Sequence, residues 1–278
     1  MGSINDKHVN AAPISRQKVS ATNRAAWNEA APIHAEMHFD RLLDGFNCPG
    51  FSCIQGIKQD AVLAHGIEGK AVVQPCCNNG RDLLSIKNLG ASRCVGFDIS
   101  DEFIEQGRRL AEADGIDCEL VQADVYEIPT DYNGQFDIAY ITAGSLRPLP
   151  DVNAFFATVA RLMRAGAWMF VQEMHPILDM YSMETSRRPR RIRYSYFHPE
   201  PFRLADGLDY YRARSYRAKP RYSFHHKLSD IIQACVSNGL RIETFQERDN
   251  DVSGGTFGRL QRRGKRLPLS YTLTAIRD

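Results

Sequence analysis

The chain has 278 residues, enough for one sizeable α/β domain or for a domain with a substantial insertion. With 43% hydrophobic and 24% charged residues it is an ordinary globular sequence, and a net charge of +2 gives no general pull toward nucleic acid or a membrane surface. No apolar run approaches the roughly eighteen residues that span a bilayer, so no membrane partner is expected.

The N-terminal MGSINDKHVNAAPISRQK lacks the apolar core of a secretory signal. Asp6 also stands where myristoylation needs Ser or Thr. Residues 1–18 read as a flexible polar tail, followed by an N-terminal helical cap over 19–66. Its main helix is predicted from Ser20 to about Leu43, capped by Ser20 or Thr22 and broken near Pro32. A Gly- and Pro-containing linker over 45–56 and a short helix over 57–65 complete the cap.

From there strands and helices alternate. Strand 70–75 precedes helix 80–88, and strand 93–98 precedes helix 101–114. Strand 118–122 ends at Ala123-Asp124, strand 136–142 leads to helix 151–164, and strand 167–173 follows Ala165-Gly166. Helix 226–238, strand 240–246 and strand 269–276 come last. This rhythm predicts an α/β fold: a doubly wound, Rossmann-like sheet covered by helices on both faces. The core is expected over 67–175 and 226–278, with 176–225 inserted between its two parts.

The seven cysteines, Cys48, Cys53, Cys76, Cys77, Cys94, Cys118 and Cys235, are odd in number and form no CxxC pair. That speaks against a disulfide framework or a zinc site, and for a reducing, cytoplasmic compartment. No cluster with metal-ligand spacing occurs, so no metal is expected. Cys94 and Cys118 fall in strand-like segments and read as small buried hydrophobes.

Three features fall at the carboxyl ends of the first three core strands, where open parallel sheets bind ligands. The first is the loop QPCCNNG, Gln74–Gly80, opening a helix N-terminus. The second is Asp98, 18 residues after Gly80, placed to accept bonds from ribose hydroxyls. The third is Asp124, placed to accept a bond from an adenine amino group. Either Asp taken alone reads as a cap for the following turn. The GxGxxG pattern of nicotinamide-binding folds is absent.

The series of loop, acidic residue and second acidic residue resembles the class I S-adenosylmethionine-dependent methyltransferases. FDIAYITAGSLRPLPD looks like that family's fourth strand and loop, VARLMRAGAWMFVQEMHP like its fifth strand, and LPLSYTLTAI like its antiparallel last strand. The resemblance covers residues 20–278 and implies a seven-stranded, mostly parallel sheet with S-adenosylmethionine as cofactor. It implies that Gln74, Cys76, Asn79 and Gly80 wrap the methionine part. Asp98 and Ile99 would hold the ribose and adenine side, Asp124 and Val125 the adenine, and Thr142 and Ala143 the sulfonium end. The loop departs from the family where Gln74 replaces an acidic residue and Cys76 and Asn78 replace glycines. Asn tolerates a left-handed backbone and Cys is small, and a small-molecule branch with a CNNGR-type loop looks similar.

Methyl transfer is an in-line displacement in which the cofactor supplies the electrophile and the protein positions the nucleophile. Candidate bases are His175 and His226; Trp27, His34, Ser145 and Tyr211 are candidate substrate contacts. Residues 176–225 carry seven of the eleven tyrosines, and ten Arg and one Lys against three Asp and two Glu. Such a segment suits a lid over an aromatic, acidic small molecule, a solvated face packed by Tyr, or a surface that stacks single-stranded RNA. The favoured reading is a methyltransferase acting on an O, N or S atom of a small secondary metabolite. The alternatives are an RNA methyltransferase, or a methyltransferase-fold protein without transfer activity.

Overall fold

The computed structural model describes residues 14–113, 115–181, 191–209, 211–212, 216–262 and 267–278. Most of the expected tail, and 182–190, 210 and 213–215 of the insertion, lie outside the described residues.

Helix α1, Arg16–Phe46, starts earlier than the sequence suggests, because Ser15 rather than Ser20 caps it by accepting the Lys18 N–H at 3.3 Å. It also runs straight through Pro32. Pro32 is exposed while Ala30, Ala31 and His34 are buried, so packing of the inner face outweighs the backbone bond that Pro removes. Helix α2, Ile57–His65, then leads into the core.

The core follows as β1 Ala71–Pro75, α3 Arg81–Asn88, β2 Arg93–Asp98, α4 Asp101–Glu112 and β3 Glu119–Gln122. Next come β4 Phe136–Ile141, α5 Val152–Leu162 and β5 Met163–Met174. The fifth strand starts four residues before the expected 167, and its pairing with β4 shifts register between Phe136 and Ile138. The insertion contributes a small antiparallel pair, β6 Phe202–Leu204 and β7 Arg221–Ser223. Helix α6 Leu228–Ser237, β8 Leu240–Arg248, the short α7 Gly258–Gln261 and β9 Ser270–Arg277 end the chain.

Seven strands form one sheet in the order β3-β2-β1-β4-β5-β9-β8. All neighbours are parallel except β9, which runs antiparallel to β5 and β8. β4 is buried at every residue, as expected of a strand covered on both faces. Val73, Phe97 and Ile141 pack with α5 and α6 on one face; Val72, Ile138 and Tyr140 pack with α2 and α3 on the other. The strand order reverses between β1 and β4, which opens a crevice at their carboxyl ends. Helix α1 lies across α4 beside that crevice, tied by Arg24 and Asn28 to Asp101 at 3.0 and 2.7 Å. Among the described residues no helix is long and apolar enough to cross a membrane.

Candidate active site

The loop after β1 turns by placing alternate residues in the left-handed region: Cys76 at φ 59°, Asn78 at 54° and Gly80 at 64°. Two of the three carry side chains, each at roughly 1–2 kcal/mol of strain. Asp98 offsets part of that cost, since its Oδ2 accepts the Asn78 N–H at 2.7 Å. The Asn78 side chain adds a bond of its own, accepting the Asn79 N–H at 2.9 Å. Glycine is required at 80, where an added Cβ would also lie 2.9 Å from Leu120 Cδ2. It is equally required at 107, because a Cβ there would meet the Asn79 carbonyl oxygen at 2.8 Å, so α4 packs directly onto the loop.

A cavity of about 520 Å³ opens over this loop. Of the residues expected to hold a cofactor, Gln74, Cys76, Asn79, Asp98 and Ile99 line it, as do Asp124, Val125, Thr142 and Ala143. Gly80 does not; it caps α3 behind the loop. Burial pushes the Asp98 carboxyl up to about 6, although the N–H groups of Ser100 and Asn78 draw it back down. Asp124 caps a 3-10 turn over Val125–Glu127, accepting the Tyr126 N–H at 3.1 Å, and still faces the cavity. Capping and cavity-facing roles therefore coexist. Burial and nearby carboxylates raise the Cys76 and Cys77 thiols well above their usual range, so both stay protonated and unreactive.

Gln74 is 2% exposed, and its Oε1 has no hydrogen-bond partner among the described residues, while its Nε2 reaches Thr142 Oγ1 at 3.4 Å. A buried unpaired acceptor in a cavity wall suits a ligand that donates there. Glu173, at the end of β5, shapes the loop after β4. Its carboxylate accepts N–H bonds from Gly144 at 2.8 and 3.0 Å, Leu146 at 3.2 Å and Met174 at 2.7 Å. That fixes Thr142–Ser145 at the cavity wall.

The far half of the cavity is built from α1, the insertion and the segment after β8. Of the candidate substrate contacts, Trp27, Ser145 and Tyr211 line it; Tyr211 stands edge-on to His38 at 4.3 Å. Buried Asn23 ties these parts together: it accepts the Tyr222 N–H at 2.7 Å and donates to Tyr222 O at 3.1 Å and Pro148 O at 3.0 Å. Sequence reasoning missed Asn23, Arg147, Arg221 and Glu173. The only prior signal was a polar Asn among the alanines of α1.

The three histidines are corrected. His175 does not line the cavity. Its Nδ1 accepts the Ile177 N–H at 3.1 Å, so Nε2 carries the proton and donates to Glu247 at 2.8 Å. His226 Nε2 donates to Leu149 O at 2.8 Å from behind the wall, and His34 Nε2 donates to Leu208 O at 2.8 Å. Burial lowers all three, His34 to about 4. They are neutral structural residues; none touches the space where an acceptor would sit.

Residues 72–166, from β1 into β5, match the model of a methyltransferase domain. The match covers about a third of the chain. The chain shares 35% identity over 86 residues with the ribosomal protein L11 methyltransferase of Photorhabdus laumondii, covering 31% of this chain and 29% of that protein. It is 26% identical over 113 residues to the ubiquinone biosynthesis O-methyltransferase of Bordetella avium, covering 41% and 46%. The chain thus spans under half the length of these curated relatives. An S-adenosylmethionine-dependent methyltransferase from Mesorhizobium loti superposes with a TM-score of 0.54 at 19% identity, covering 84% of this chain and all of that one. Geranyl diphosphate C-methyltransferase from Streptomyces coelicolor, solved with Mg2+, geranyl diphosphate and S-adenosylhomocysteine, gives 0.55 at 14%, covering 79% and 76%. The fold is that of S-adenosylmethionine-dependent methyltransferases, and S-adenosylmethionine is the cofactor such a domain takes. The cavity here fits that group: the Gln74 acceptor is open, and Asp98 is held charged at neutral pH against its own burial.

Proposed function

We propose that the protein is a methyltransferase that moves the methyl group of S-adenosylmethionine to an O, N or S atom of a small molecule. One observation carries this: a single cavity is walled by the cofactor-side strand ends and, opposite, by α1 and the insertion. Gln74 would accept from the cofactor's amino group, Asp98 would take the ribose hydroxyls, and Asp124 with Val125 would hold the adenine. When bound, the cofactor supplies an electrophilic methyl carbon on sulfur. The chain's part is to orient the acceptor against it and to exclude water.

The insertion acts as the lid of this site, contributing Leu208, Tyr211, Arg221, Tyr222 and Ser223 to the wall. A cavity of about 520 Å³ shared with the cofactor suits a small acceptor. The charge that favoured RNA is partly spent internally: Arg221 is 5% exposed, and Arg212 pairs with Asp209 and Glu36, each at 3.1 Å. Calorimetry with S-adenosylhomocysteine tests the reading. One molecule should bind per chain, and Asp98→Ala should remove the binding; wild-type protein that takes up no S-adenosylhomocysteine sinks it.

A further inference from the structure

The cavity divides by charge. Its acidic lining residues, Asp82, Asp98 and Asp124, all belong to the cofactor side, together with Lys58, which pairs with Asp82 at 2.6 Å, and Arg81, 3.9 Å from the same carboxylate. Beyond Thr142–Ser145, among the described residues, the charged groups on the wall are Arg147 and Arg221, and no carboxylate lines that part of the cavity. Their counter-ions stand behind the wall. Asp179 holds Arg147 through Oδ1, and Asp206 holds Arg221 at 3.0 Å. Neither Asp179 nor Asp206 lines the cavity.

Arg147 is pinned more firmly than one ion pair requires. The second oxygen of Asp179 lies 2.9 Å from His225 Nδ1, and His225 Nε2 lies 2.6 Å from Tyr196 O. Phe257 packs against the guanidinium, its ring centre 5.6 Å from Cζ. A guanidinium has five N–H donors in a planar fork, and Asp179 occupies one side of it. Two arginines on one cavity wall, each anchored from behind, make a receptor for an oxyanion.

We propose that the methyl acceptor carries a carboxylate or phosphate group, received by Arg147 with Arg221 as second donor. This rests on the methyltransferase reading and deepens it. Trp27, Tyr211, Tyr222 and Phe257 on the same wall fit a planar, apolar body attached to that group.

Benzoate, phenyl phosphate and neutral benzamide, titrated into the full chain loaded with S-adenosylhomocysteine, test the proposal. At least one of the two anions should bind about tenfold or more tighter than benzamide. The tighter anion tells carboxylate from phosphate. Arg147→Gln should abolish the preference while S-adenosylhomocysteine affinity stays within about twofold. Because that variant leaves Asp179 without its arginine, Arg147→Gln/Asp179→Asn is the folding control. The double variant should melt like the wild type and still lack the preference. Equal binding of all three probes to loaded wild-type protein overturns the proposal and leaves the methyltransferase reading standing. So does a collapse of S-adenosylhomocysteine affinity in the folded double variant, which would assign Arg147 to the cofactor's own carboxylate. Failure of S-adenosylhomocysteine to bind the wild type defeats both.

Discussion

Asp98→Asn separates a residue kept for binding from one kept for folding. The native carboxyl is raised from 3.8 to about 6 by burial. Holding it ionised at neutral pH therefore costs the unliganded protein about 3 kcal/mol, at 1.36 kcal/mol per unit. The sign follows from proton linkage: the native state binds its proton more tightly than the unfolded chain. Stability from this group is thus present below 3.8 and lost as pH rises to about 6. Asparagine removes that penalty but offers one acceptor oxygen to two donors, the N–H groups of Asn78 and Ser100 at 2.7 and 2.9 Å. One of them then faces an amide NH2, at about 2–3 kcal/mol. The two effects nearly cancel, so urea unfolding at pH 7.5 should place the unliganded variant within about 1 kcal/mol of wild type. Binding has no such compensation. Loss of charge-assisted bonds to the ribose removes about 2–4 kcal/mol, a weakening of about 30- to 700-fold for S-adenosylhomocysteine by calorimetry. A variant that binds within threefold of wild type, or that loses several kcal/mol of stability instead, would refute this reasoning.

Replacing Cys76 or Asn78 with glycine relieves left-handed strain but loosens the unfolded chain by a similar amount. Urea unfolding should shift by no more than about 1 kcal/mol with cofactor binding kept, whereas Cys76→Val, branched at φ 59°, should lose about 2 kcal/mol. Glu173→Gln turns an amide NH2 toward the Gly144 and Leu146 N–H groups, so their hydrogen exchange should speed up about tenfold or more while that of β4 is unchanged. His175→Ala should weaken the 176–180 turn by about 1–2 kcal/mol and leave the pH dependence of methyl transfer unaltered. Loss of one limb of that profile would restore His175 as a base.

The sheet and the strand ends that line the cavity were legible because both depend on short-range pattern. Apolar runs such as AVVQP and FDIAYI mark the buried strands, and Asp98 and Asp124 mark where two strands end. The loop was legible too, since only small or Asn residues occupy its left-handed positions. Helix α1 was misjudged because propensity at Pro32 is local, whereas the packing of Ala30, Ala31 and His34 against the body of the protein is not. The histidines were misjudged for a related reason. A sequence places His175 at the right strand end, but the direction of its ring is set by Ile177 and by Glu247, 72 residues away. Arg147, Asp179 and His225 come from three segments that only the fold brings together, so no spacing announces them.

The central claim is methyl transfer to a small acid. Its most direct test is incubation of the protein with methyl-labelled S-adenosylmethionine and a metabolite extract, split into low-molecular-weight acidic, low-molecular-weight neutral, RNA and protein fractions. The account predicts label in a compound of the acidic fraction, heavier by one methyl group, and no label there with Asp98→Ala. Label confined to RNA or protein, or none in any fraction while S-adenosylmethionine binds, would contradict it.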